Sequence, residues 1–125
     1  MKALVQAGVN MAEAKGSQAT LNAIGDPRGP FLKGDLYLFA GSLDKVTLLA
    51  HPYKAKELLG KDLSKFKDSK GTLLFVELQE IAKGPGKGWI TYWWHKPGEE
   101  QPSSKRAYIM RVPGKDFYIV AGYDE

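Results

Sequence analysis

Three β-rich runs in the last third of the chain restrict its fold more than any other feature. They are Gly88–Lys96, Lys105–Val112 and Asp116–Tyr123, and short links that include the turns 97–102 and 113–114, which contain proline and glycine, separate them. Strands joined by links this short pair antiparallel with their neighbours in the chain. The sequence therefore predicts that the chain ends in adjacent strands of one antiparallel sheet.

Two further strands are predicted upstream. Asp35–Ser42 alternates, which puts Tyr37 and Phe39 on one side of the strand and aliphatic residues on the other. Lys45–His51 is a second β-rich run. Because the link Gly41–Asp44 is short, these two strands are predicted to form a hairpin.

Helices are predicted before and after this hairpin. The apolar residues of the first 25 positions recur at helical spacing, with a restart at Ser17 and an end near Gly25. Proline and glycine at 26–30 stop that helix. A second helix is predicted over Leu73–Lys83, where an apolar stripe runs along one side until a Gly-Pro-Gly sequence ends it.

The order of these elements predicts an α+β fold. We expect a PAS-like antiparallel sheet of about five strands, with a long N-terminal helix and a helical insertion packed on it. A length of 125 residues fits a single domain, 1–125. No apolar run approaches the roughly 18 residues that would span a bilayer. Seven apolar side chains are expected to be buried between sheet and helices: Phe39, Leu49, Leu78, Ile81, Ile109, Ile119 and Ala121.

The net charge of +4 requires nucleic-acid binding to be considered. Most of the excess lies in Lys54–Lys70, where acidic residues are interspersed and Phe66 is the one aromatic residue. This pattern is typical of a solvated face rather than of a groove that follows a phosphate backbone. The alternative function is a basic interaction module that binds nucleic acid or an anionic surface and has no small-molecule pocket.

Enzymatic chemistry has little support in the sequence. Cysteine is absent, which excludes thiolate chemistry, and the two histidines, His51 and His95, form no recognisable metal-binding pair. The glycine-rich segment 84–88 lacks the Walker spacing, and Asp62 and Asp68 lack the spacing of an EF-hand loop. We therefore expect a protein that is not an enzyme, with no catalytic residues, no metal and no cofactor.

Several different short motifs occur along the whole chain in a recognisable order. They are Gly34–Phe39, Leu49–Pro52, Leu59–Leu63, Lys67-Asp68, Gly88–Trp94, Lys96–Gly98, Lys105–Tyr108 and Phe117–Gly122. In this order they resemble the single Cache (sCache, Cache_2-type) family. One departure is Phe117, where the family tends to carry tryptophan.

The resemblance implies an extracytoplasmic sensor domain, usually coupled to a chemoreceptor or a kinase, that commonly recognises short carboxylates. We therefore expect a periplasmic or extracellular protein that binds acetate, propionate, lactate or pyruvate in signal transduction or chemotaxis, and no nucleic acid. The N-terminus lacks the apolar region of a secretory signal, so contact with a membrane is expected only through an anchor missing from this chain. A homodimer is an open alternative to a monomer.

Candidate ligand contacts begin on the aromatic strand Gly88–Lys96. Alternation puts Tyr92 and Trp94 on one face, where apolar walls hold a ligand's carbon atoms and the Tyr92 hydroxyl donates to an oxygen. Without the resemblance, simple packing against helix Leu73–Lys83 is the favoured interpretation. With it, both residues are predicted ligand contacts.

Polar partners for a carboxylate are predicted on three other strands. Lys105 matches the family's lysine, and a buried carboxylate needs a cationic partner. His51 either hydrogen-bonds the ligand or caps the adjacent backbone, and Tyr37 supplies a second hydroxyl. Tyr108 falls on the face opposite Lys105 and is predicted to be a packing residue.

Overall fold

The described part of the chain forms three helices and one five-stranded sheet. The computed structural model describes residues 2–26, 28–31, 36–52, 59–68, 70–95 and 100–124, with only the backbone at 94, 95, 123 and 124. In chain order the elements are α1 (Lys2–Lys15), α2 (Ser17–Gly25), β1 (Tyr37–Ser42), β2 (Leu48–Ala50), α3 (Leu74–Lys83), β3 (Lys87–His95), β4 (Pro102–Arg111) and β5 (Phe117–Asp124).

The predicted N-terminal helix is divided at Gly16. This residue has a φ of 89°, which glycine adopts without strain. Its N–H still donates to the Ala12 carbonyl at 3.0 Å, and its own carbonyl accepts from the Thr20 hydroxyl at 2.9 Å. The break therefore leaves both helix ends hydrogen-bonded, and α2 begins at Ser17, where the sequence indicated a restart.

All neighbouring strands pair antiparallel in the order β2-β1-β5-β4-β3. The predicted α+β fold and the hairpin of the first two strands are confirmed. The last strand, β5, lies at the centre between β1 and β4. Two sets of cross-strand neighbours matter for the site. Tyr37 on β1, Gly122 on β5 and Ala107 on β4 lie side by side across the sheet. Tyr92 on β3 is the direct partner of Lys105 on β4.

The sheet separates two apolar cores because alternate residues of each strand point to opposite faces. One face packs against α1 and α2 through residues such as Leu38, Ile119 and Ala121. The other face packs against α3 and against residues of the described ranges 59–68 and 70–72. That second core contains Tyr37, Phe39, Leu63, Leu74, Phe75, Leu78, Tyr92, Ala107, Ile109, Tyr118 and Val120.

Most of the predicted core residues are buried. Ile81 is partly buried against the second core, and the prediction for Leu49 is wrong, since 38% of this residue is exposed. Leu49 lies on β2, a three-residue strand at the edge of the sheet, so it is covered on one side only. The other five residues, Phe39, Leu78, Ile109, Ile119 and Ala121, are at most 3% exposed.

Candidate ligand-binding site

Tyr92 and Lys105 lie side by side on the face of the sheet that α3 covers. They are direct cross-strand partners on β3 and β4, so their side chains leave the same face. Both are buried, and Lys105 has no exposed surface. Among the residues whose burial the structure describes, Lys105 is the one lysine or arginine in the buried class. An ammonium group at such a position is a strong candidate for recognising an anion.

The Lys105 side chain crosses the central strand towards Tyr37. Its Nζ lies 5.5 Å from the centroid of the Tyr37 ring, within the range of a cation–π contact. Tyr37 is on β1 and Lys105 is on β4, with β5 between them. The two side chains therefore meet above β5, and residues from three strands contribute to one small region.

His51 extends this group at the end of β2. Its ring centroid is 5.0 Å from that of Tyr37 in an edge-on arrangement and 5.5 Å from that of Phe39 in a stacked one. The residue is 3% exposed. We call Tyr37, His51, Tyr92 and Lys105 the polar cluster.

A surface cavity of about 280 Å³ lies between α2 and β2, next to the polar cluster. His51 lines this cavity while it also contacts Tyr37 on its inner side. His51 therefore lies between the other residues of the polar cluster and the surface. The other lining residues are Leu21, Asn22, Gly25, Leu49, Ala50 and Leu59.

Tyr92 reaches across β4 to the central strand. A Cβ atom at Gly122 would lie 3.0 Å from the Tyr92 hydroxyl oxygen and 3.7 Å from the Cβ of Ala107. The phenol is therefore directed over Ala107 on β4 and ends above Gly122 on β5. Small residues at these two positions leave the space that the phenol occupies.

The structure brings four of the five predicted site residues to one face of the sheet. The fifth, Trp94, pairs with Ser103 on β4, and its side chain lies outside the described residues. Tyr108 belongs to the opposite core, as its register predicted, and its ring centroid is 5.0 Å from that of Trp89.

Sequence reasoning missed two neighbours of the cluster, Phe39 and Gly122. Phe39 had a usable signal, because it follows Tyr37 by two residues on the same face of β1. Gly122 has no side chain to suggest a role. Its position beneath the cluster depends on the register of β5 with both β1 and β4.

Asp68 attaches the segment 59–68, which covers this face, to the edge of the sheet. Its Oδ2 accepts a hydrogen bond from the Trp93 N–H of β3, and its Oδ1 accepts from the N–H groups of Lys70 and Thr72, each at 2.9 Å. Trp93 is the neighbour of Tyr92, so this carboxylate connects the covering segment to the strand that carries the site. Burial acts to raise the pKa of Asp68, but the backbone N–H donors outweigh it and the pKa lies below its ordinary value.

We expect Asp68→Asn to lower the free energy of unfolding by about 2 kcal/mol at neutral pH, since hydrogen bonds to a buried charged acceptor are lost. A lowered pKa in the folded state means that the carboxylate contributes fully above about pH 4, its ordinary range, and loses its contribution as the pH falls further. The difference between wild type and variant should therefore shrink below about pH 4. Urea denaturation at several pH values measures both effects.

Asp44→Asn is the matched control, because Asp44 is exposed. Its effect should stay within about 0.5 kcal/mol. Equal stability of wild type and Asp68→Asn at neutral pH would contradict the anchoring role.

Comparison with known proteins identifies the family. The dCache_2 model, described as a Cache domain, matches residues 8–125. The methyl-accepting chemotaxis protein McpP of Pseudomonas putida KT2440 is 36% identical over 63 residues, which are 50% of this chain. The chain spans 11% of the length of that relative.

Solved structures agree with this match. A periplasmic sensor domain of a chemotaxis protein has a TM-score of 0.76 at 25% identity, and the match covers 98% of this chain and 86% of that domain's chain. A methyl-accepting chemotaxis protein from Vibrio parahaemolyticus RIMD 2210633 has a TM-score of 0.80 at 23% identity, with 99% and 85% covered. A Cache chemosensory domain studied for carboxylic acid recognition has a TM-score of 0.75 at 24% identity, with 98% and 84% covered. The Vibrio protein and the chemosensory domain are less than 25% identical to this chain, so they show a similarity of fold.

Among the described residues, no helix is long and apolar enough to cross a bilayer. The family match covers nearly the whole chain, from the middle of α1 to the end of β5. It confirms the Cache resemblance that the order of motifs indicated. The chain belongs to the Cache family, whose relatives compared above include sensor domains of chemotaxis proteins.

Proposed function

We propose that this Cache domain is an extracytoplasmic sensor that binds a short monocarboxylate at the polar cluster, in signal transduction or chemotaxis. The observation that carries the proposal is the burial of Lys105 among the rings of Tyr37 and Tyr92. A buried ammonium group beside two tyrosines offers the positive charge and the hydrogen-bond donors that a carboxylate requires.

Each residue of the cluster has a role that fits a small carboxylate. The Lys105 ammonium pairs with the carboxylate, and the Tyr92 hydroxyl donates to one of its oxygens. The rings of Tyr37 and Phe39 provide apolar surface for the carbon atoms. His51 closes the side that faces the cavity beside α2. Trp94 is proposed as a further wall from β3.

The burial of the whole polar cluster favours a small ligand, an acid of two or three carbons. Tyr37, His51, Tyr92 and Lys105 are each at most 3% exposed, so a ligand among them is surrounded by protein. Acetate, propionate, lactate and pyruvate fit this description. Two fold relatives support the proposal: one is a periplasmic sensor domain, and the other is a Cache domain whose study concerned carboxylic acid recognition.

Calorimetry and thermal unfolding with the four acids test the proposal. A ligand that binds only the native state stabilises it by about 2.7 kcal/mol at a concentration of 100 Kd. For a domain of this size we expect Tm to rise by about 10 °C. Propylamine and glucose are the controls, since one reverses the charge and the other has none.

Absence of binding for all four acids at millimolar concentration, together with binding of the amine or the sugar, would contradict the proposal. Binding to a DNA duplex that weakens steeply with salt, with no response to the acids, would favour the basic interaction module instead.

A further inference from the structure

Gly122 on β5 lies where side chains of the candidate site come together. The Tyr92 hydroxyl, from β3, ends above Gly122, Tyr37 on β1 is its direct cross-strand partner, and the Lys105 ammonium group, from β4, contacts the Tyr37 ring. Gly122 is itself buried. The absence of a Cβ atom there is therefore part of the shape of the site.

We infer that Gly122 determines the length of the carboxylate that the domain accepts. This inference rests on the proposed function and adds a specificity-determining residue to it. Gly122 lets the Tyr92 hydroxyl lie close to the sheet, and so leaves room for the carbon atoms of the ligand above the hydroxyl. A methyl group at this position moves the hydroxyl away from the sheet and shortens the space available to the ligand.

The local geometry makes this effect specific to Tyr92. A Cβ atom at Gly122 would lie 3.0 Å from the Tyr92 hydroxyl oxygen, closer than ordinary van der Waals contact, whereas the Ala107 Cβ and the Arg106 carbonyl oxygen are both at 3.7 Å. The hydroxyl is the far end of a side chain and can shift by a few tenths of an ångström.

The backbone also permits the substitution. Gly122 is not among the described glycines with positive φ, so alanine introduces no left-handed strain. Gly122→Ala is therefore a test of shape rather than of folding. A measurement of Tm with the free protein checks this directly.

The test is calorimetry of wild type and Gly122→Ala with acetate, propionate and butyrate. One methylene group in an apolar pocket changes affinity by at least about tenfold. We expect Gly122→Ala to shift the ratio of propionate to acetate affinity by about tenfold in favour of acetate. Tyr92→Phe removes the hydroxyl, so it should shift the same ratio in the opposite direction.

The double variant Gly122→Ala/Tyr92→Phe identifies the group that is displaced. Without the hydroxyl, the added methyl group should have little effect, so the double variant should show the ratio of Tyr92→Phe alone. Should Gly122→Ala fail to fold, the direction of the Tyr92→Phe shift still decides the inference.

One outcome overturns the inference alone: wild type binds the acids, but Gly122→Ala leaves the ratio unchanged, whether or not it weakens every acid equally. A wild type that binds none of acetate, propionate, lactate and pyruvate overturns the proposed function, and this inference with it. The wild-type titration therefore separates the two failures.

Discussion

Lys105→Met is expected to weaken binding of a short monocarboxylate by about 30- to 700-fold. Loss of one partner of a buried, hydrogen-bonded charge pair costs about 2–4 kcal/mol, and 1.4 kcal/mol corresponds to tenfold in Kd. Methionine has nearly the length of lysine, so the apolar walls keep their shape. Calorimetric titration of wild type and variant with propionate measures the change.

The stability of the free protein distinguishes recognition from packing. Methionine fills most of the volume of the lysine, so the free variant should still fold and unfold cooperatively. Lys87→Met is the matched control, because Lys87 is exposed on β3 of the same sheet. Unaltered propionate affinity in Lys105→Met, combined with a lower Tm, would show that the lysine is structural.

Gly41→Ala is expected to lower the free energy of unfolding by about 3 kcal/mol, with a fall in Tm of about 10 °C. Gly41 on β1 pairs with Tyr118 on β5, and a Cβ atom at position 41 would overlap the Tyr118 hydroxyl and the ring carbon that bears it. Tyr118 is 1% exposed, so its ring has no free space into which to move. Thermal and urea denaturation of the free protein measure the loss.

Two further variants locate the cause of this effect. Gly25→Ala is the control, because nothing lies within 4 Å of a Cβ atom at Gly25, and its effect should be small. Tyr118→Leu in the Gly41→Ala background removes the overlapping ring and should make the alanine tolerable. A Gly41→Ala variant as stable as wild type would mean that the two strands separate easily at this point.

Local patterns in the sequence predicted the elements and most of their faces. The alternation of β1 assigned Tyr37 and Phe39 to one side, and the structure places both in the core beneath α3. The alternation within β3 and β4 correctly separated Tyr92 and Lys105 from Tyr108, which lies in the opposite core. These predictions were accurate because side-chain direction in a strand depends only on residue parity.

Long-range neighbours could not be predicted in the same way. The contact of Lys105 with Tyr37 requires β5 to lie between β1 and β4, and nothing local to these strands specifies that order. The exposure of Leu49 likewise follows from the position of β2 at the edge of the sheet. The anchoring role of Asp68 was not predicted, because its bond to the Trp93 N–H joins residues 25 positions apart.

The central position of β5 has a consequence for the order of folding. β1 with β2 and β3 with β4 are two hairpins that can each form from contiguous chain, but they share no edge, and each joins the sheet through β5. The pairing of β5 with β4 is local, whereas its pairing with β1 joins residues far apart in sequence, a topology that slows folding through the entropy of loop closure. Tyr37 belongs to one hairpin, and Tyr92 and Lys105 belong to the other. A ribosome must release β5 before these three side chains can meet, so the recognition site comes into existence only with the complete sheet.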